Sequence, residues 1–203
     1  FFSVFFFINF HAQEIKKDIF NNYEFCRKDK KFCANLKKDI FDNIIYTDDK
    51  KNTITYNRKY VAKYFPELFK NEDITVDFFA GLLEEFKYDK NYSRTHEIDI
   101  FDKEIVEDNR HFKSVYYKDI HGKYQYEENF NNSKTTLSED FNGNIVYKNG
   151  NIWAKLEKNF QGNWKFSDKS GTNMEFSKET WNLLLQKFGD KSKIANYLIS
   201  TFL

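Results

Sequence analysis

Proline is almost absent from this chain: Pro66 is the only one in 203 residues. Cysteine stops at two and histidine at four. Cys26 and Cys33 lack the C-x-x-C spacing of a redox pair and have no histidine nearby, and no histidine lies at a metal-ligand spacing, so a metal site is not expected. Charge of one sign is lacking as well. Thirty-two Lys and Arg against 31 Asp and Glu leave +1, which gives no global field to draw in nucleic acid. No nucleophile elbow, P-loop, dinucleotide fingerprint or H-E-x-x-H occurs. Glu84, Glu85 and the acids at 72, 73 and 77 read as the charged surface of a helix rather than a catalytic pair. The expectation is therefore a protein that is not an enzyme, with no catalytic residues and no cofactor.

What the chain has in place of these is a repeat. An eleven-residue pattern recurs six times, as IKKDIFNNYEF, LKKDIFDNIIY, HEIDIFDKEIV, YYKDIHGKYQY, LSEDFNGNIVY and LEKNFQGNWKF, starting at residues 15, 36, 96, 116, 137 and 156. Repeats settle architecture before any site is considered. The fourth place is Asp18, Asp39, Asp99, Asp119, Asp140 or Asn159, and the seventh is Asn21, Asp42, Asp102, Gly122, Gly143 or Gly162. Asp or Asn opening a type I turn, followed three residues on by a residue tolerant of positive φ, is the chemistry of a three-residue hairpin loop with a G1 bulge. Each copy is thus expected to be a tight β-hairpin, its Asx side chain bonded to the turn backbone. Places one and three then face places nine and eleven, where aromatic and branched residues suit a half-buried pleated face.

The fifth place holds Ile19, Ile40, Ile100, Ile120, Phe141 and Phe160, apolar residues at the turn itself. An apolar strip left bare is a liability. Cover from within the protein, by the sheet or by helices, is the expectation; the alternative is a partner on this strip. Further turns are expected at residues 28–31, at 48–51, and at Lys148-Asn149-Gly150-Asn151.

Two stretches are helical in period. One has Asn57 as a cap, Val61, Tyr64, Phe65 and Leu68 on one side, a break near Pro66, and a second helix from about Ile74 to Phe86. The other has Ser177 as a cap, Gly189 as a stop, and a last helix with Ile194, Leu198, Ile199 and Phe202. Residues 34–65 align without gaps on 154–185, with Ala34, Leu36, Lys38, Asn43 and Asp48 matched by identical residues. The predicted fold is α+β: an antiparallel β-meander of repeated hairpins, with two helices after each run. It is read as a duplicated module, residues 13–93 and 94–203.

Residues 1–12 open with the apolar run FFSVFFFINF, about half the length that spans a bilayer. They read as a secretory signal lacking its basic start, cleaved after Ala12. A periplasmic or extracellular location follows, with no membrane span in the mature chain. In an oxidising compartment Cys26 and Cys33, set across a four-residue loop, are expected to form a disulfide.

The segment from Gly162 to Gly171 resembles the aromatic hairpins of the choline-binding, cell-wall-binding repeat family. That resemblance implies aromatic cages that grasp choline or sugar, though this copy alone has the Trp. The D-x-x-G core is also similar to the YD repeats of large bacterial shell and toxin proteins. Tight hairpins share such turn residues, and no family is assigned on them.

The leading functional expectation is a binding protein whose partner is a protein or a cell-envelope component, engaged through the sheet or through the strip of Ile19, Ile40, Ile100, Ile120, Phe141 and Phe160. One alternative is a glycan binder using Tyr126, Tyr147, Trp153 and Trp164. Another is an inhibitor or immunity-type protein that plugs an enzyme.

Overall fold

The computed structural model describes residues 15–29 and 31–203. The segment read as a secretory signal lies outside them. The chain forms two compact units divided after Glu97.

The first unit contains β1 (Lys16–Lys17), β2 (Tyr23–Cys26), β3 (Cys33–Lys38), β4 (Ile44–Asp48), β5 (Thr53–Tyr56) and β6 (Ser93–Ile98), whose last residue belongs to the second unit. Strands β1 to β5 are antiparallel neighbours in chain order. Between β5 and β6 lie α1 (Arg58–Tyr64) and α2 (Glu72–Glu85), and β6 returns parallel to β5. A parallel return needs a long crossover, which the helices supply. The meander is therefore mostly, and not wholly, antiparallel.

Local chemistry accounts for the helix ends. The Asn57 side chain accepts the Tyr60 N–H at 2.9 Å and opens α1, which stops two residues before Pro66. Helix α2 starts earlier than its apolar period indicates. The Asn71 side chain accepts the Ile74 N–H at 3.2 Å, and Glu72 and Asp73 complement the positive helix end. Its Phe79, Leu82 and the following Phe86 are buried against the sheet face of Tyr23, Leu36, Tyr46 and Ile54. The Tyr46 ring lies 6.1 Å from Phe79 and 6.0 Å from Phe86. Asn52, fully buried, donates to Asp48 at 2.9 Å and to the Asp89 carbonyl at 3.0 Å, and accepts the Tyr92 N–H at 3.0 Å. One amide thus ties the β4–β5 turn to the start of β6.

The second unit contains β7 (Glu104–Asp108), β8 (Phe112–Lys118), β9 (Tyr124–Phe130), β10 (Ser133–Glu139), β11 (Ile145–Asn149), β12 (Ile152–Lys158), β13 (Trp164–Asp168) and β14 (Asn173–Phe176), antiparallel in chain order. Two helices follow, α3 (Lys178–Phe188) and α4 (Lys191–Phe202). Ser177 caps α3, and Gly189 ends it at φ 86°, a left-handed stop that glycine adopts without strain. Ile194, Ala195 and Leu198 of α4 close a core with Leu137, Ile145, Leu156 and Phe166. Trp181 of α3 stacks on Trp164 at 4.6 Å. His111 takes the left-handed place of the turn before β8, at φ 67°. No helix among the described residues is long and apolar enough to cross a membrane.

Candidate interaction edge

All six copies close as the repeat predicts. The fourth-place carbonyl accepts the seventh-place N–H at 2.9–3.3 Å, and the fourth-place N–H donates to the eighth-place carbonyl at 2.8–3.0 Å. The seventh residue is left-handed in every copy, from φ 58° at Asp102 to 84° at Gly162. The fourth-place Oδ1 accepts the N–H groups of places six and eight, as Asp39 does from Phe41 at 2.8 Å and Asn43 at 2.9 Å. In three copies the eighth-place Asn adds a side-chain bond of 2.9–3.0 Å to Oδ2.

These bonds set the acids' titration. The Asn22 amide beside Asp18, and the Lys123 N–H on Asp119, hold both carboxyls below their ordinary value. For Asp39 and Asp140, partial desolvation pushes upward, and bonds from Asn43 and Asn144 outweigh it. The Asp side chains are therefore occupied in holding turns.

Such a turn uses its own Asx side chain and presents the fifth residue outward. Ile19, Ile40, Ile100, Ile120, Phe141 and Phe160 are all at least 82% exposed. The expectation that the protein covers its own strip is overturned. The physical reason is the turn itself: its fifth residue lies beyond the last ladder pair, off both sheet faces. Sixth-place Phe20, Phe41 and Phe101 are exposed beside them, a contribution that the sequence reading missed. In a meander every second connection falls at the same end. Within the first unit two tips share one edge, and within the second unit four do. Adjacent tips touch there, His121 meeting Phe141 edge-on at 5.4 Å.

The proposed aromatic face is less coherent. Tyr126, Tyr147 and Trp164 lie on the face that meets the helices, each packed partly on the core. Trp153 pairs with Lys148 while its neighbour Ala154 pairs with Tyr147, so Trp153 points to the opposite face. One face of Trp164 is taken by Trp181, and the Lys191 ammonium lies 5.8 Å from its ring.

Cys26 and Cys33 are paired in register across β2 and β3 and joined, with a Cα separation of 4.1 Å.

Three other groupings carry polar chemistry. Glu139, 7% exposed, accepts from Lys123 at 3.0 Å and Lys191 at 2.9 Å; Lys191 also donates to the Gly143 carbonyl at 2.8 Å. Desolvation pushes Glu139 up, and the two ammonium groups bring it below its ordinary value. His96 stacks on Tyr56 at 4.6 Å and meets Tyr60 at 5.2 Å, with both ring nitrogens unbonded. Burial, aided by Arg94, lowers it to about 4, so it is neutral near pH 7. Glu84 and Glu85 pair with Lys87 at 2.7 Å and Arg94 at 2.6 Å, as helical surface charge does. Among the described residues no cluster of His, Cys, Asp and Glu is arranged to hold a metal ion.

No protein-family model matches this chain, and neither a curated protein nor a solved structure shows significant similarity to it.

Proposed function

We propose that this is an exported bacterial protein, not an enzyme, that binds another macromolecule through its apolar hairpin tips, and that its two helix-bearing units arose by duplication of one module. The observation that supports the binding reading most is the exposure of the six fifth-place side chains, four of them Ile, on turns whose polar groups are already satisfied. Repeated apolar side chains bare at one edge of each unit are the kind of patch that marks an interaction site. The partner is taken to be a protein or a cell-envelope component. Duplication is supported by register: Ala34, Leu36 and Lys38 pair with Asp48, Tyr46 and Ile44 as Ala154, Leu156 and Lys158 pair with Asp168, Phe166 and Trp164.

A photo-crosslinking residue at Ile40 or Ile120 tests the binding reading, with Tyr88, exposed but away from the tips, as control. Adducts of one defined size from the tips alone, lost in the I40D/I120D variant, are expected. Equal labelling from Tyr88 counts against it. Export, to the periplasm or outside the cell, is tested by fractionation and by sequencing the N-terminus of the mature chain. The glycan reading has less support, because Trp153 and Trp164 lie on opposite faces and Trp164 is stacked within the protein.

A further inference from the structure

The first unit contains a cavity of about 350 Å³ between β2–β3 and α2, within the range of small-ligand sites. Val76, Ala80 and Leu83, at helical spacing, turn one stripe of α2 toward it, and Phe25 and Phe32 form the facing wall. Its polar residues are cationic but for one: Arg27, Lys50 and Lys87 against Glu84. Lys87 is paired with Glu84 at 2.7 Å. Arg27 and Lys50 have no carboxylate partner among the described residues. Both are gathered on one ring, the guanidinium 5.4 Å and the ammonium 5.6 Å from the centre of Phe32, and Lys50 donates to the Lys87 carbonyl. The Cys26–Cys33 bond clamps the loop that bears Arg27 and Phe32. In the corresponding turn of the second unit Ser170 stands where Lys50 does, its hydroxyl donating to Asp168.

Apolar walls with two cations that no described carboxylate pairs fit a ligand that is apolar along its length and anionic at one end. We propose that this cavity binds a medium-chain fatty carboxylate, its chain against Phe25, Val76 and Leu83 and its carboxylate on Arg27 and Lys50. The Arg27 fork matches a carboxylate in shape as well as charge. The volume suits one chain rather than the paired chains of a bilayer lipid. The β2–β3 and β4–β5 turns that supply the cations lie at the end of the sheet opposite the tips, so this site is independent of the tip edge.

Calorimetric titration of the full chain with decanoate tests the assignment. One saturable site is expected, tightening about threefold to fourfold for each added methylene from hexanoate to decanoate. Decanol and decyltrimethylammonium should bind at least roughly tenfold more weakly, as should decanoate to R27Q/K50Q. A80W, which fills the cavity and keeps the cations, should abolish binding. I40D/I120D should bind decanoate as the parent does, so failure of the tip reading leaves this result untouched. Decanol binding as tightly as decanoate, unchanged affinity in R27Q/K50Q with native circular dichroism, or no saturable heat at millimolar decanoate overturns the assignment.

Discussion

The segments β3–β4–β5–α1 and β12–β13–β14–α3 use one register and one turn chemistry, yet they finish their cores differently. In the first, Tyr46 donates its hydroxyl to Asp48 at 3.1 Å, and Asn52 reaches the same carboxylate oxygen at 2.9 Å. In the second, Phe166 replaces the tyrosine, and Asp168 Oδ2 is buried with no hydrogen-bond partner. The first unit stacks His96 on Tyr56, and the second stacks Trp181 on Trp164. The first unit has a disulfide; the second anchors its α4 helix through Lys191 and Glu139. A shared backbone template thus tolerates quite different fastenings, because the turns that hold the template are closed locally.

This contrast can be broken at several points. Replacing Cys26 and Cys33 by Ala should remove roughly 2–3 kcal/mol from the first unit, on the chain-entropy cost of closing so short a loop, and little from the second. Denaturation followed by hydrogen exchange reads the two separately. In the second unit E139Q should cost about 2 kcal/mol, since two part-buried ammonium groups lose their shared charge. Acid should distinguish the units as well. His96 has a folded value, about 4, below its unfolded one, so its neutral form stabilises the fold fully above pH ~6.5. That stability is lost as pH falls toward 4, by about 1–2 kcal/mol after allowance for solvent screening. H96F should flatten that part of the stability–pH curve, and W181F should not.

Exchanging the core rings sharpens the comparison. Y46F should cost about 1 kcal/mol, and F166Y should recover a similar amount by giving Asp168 Oδ2 a donor. The smallest effect is expected at Lys51, which is left-handed at φ 63° where the tip turns use Asn, Asp or Gly. K51G should raise stability by about 0.5–1 kcal/mol, measured as a shift in the urea midpoint.

The hairpins were legible because each is decided within five residues. Asp39 satisfies Phe41 and Asn43, and Asp42 supplies the left-handed step, whatever lies elsewhere in the chain. The same chemistry at Asp48 and Asp108, each bonding N–H groups two and four residues on, was only partly read. There the left-handed residues are Lys51 and His111, outside the Gly, Asn and Asp set that marks the tip turns. The start of α2 was missed by two residues, because Asn71 and the acids that open it fall outside the apolar period. The parallel return of β6 left no local mark, since strand direction depends on how the crossover helices dock.

The sequence alone determined the bends, the alternation of strand faces and the helix caps at Asn57, Ser177 and Gly189, all of which are settled among near neighbours in the chain. Only the tertiary structure decided that the six apolar tips stay bare, that Trp153 and Trp164 part to opposite faces, and that Arg27, Lys50 and Lys87 meet around one cavity. Burial and charge convergence are sums over residues far apart in the chain, so no short stretch of sequence contains them.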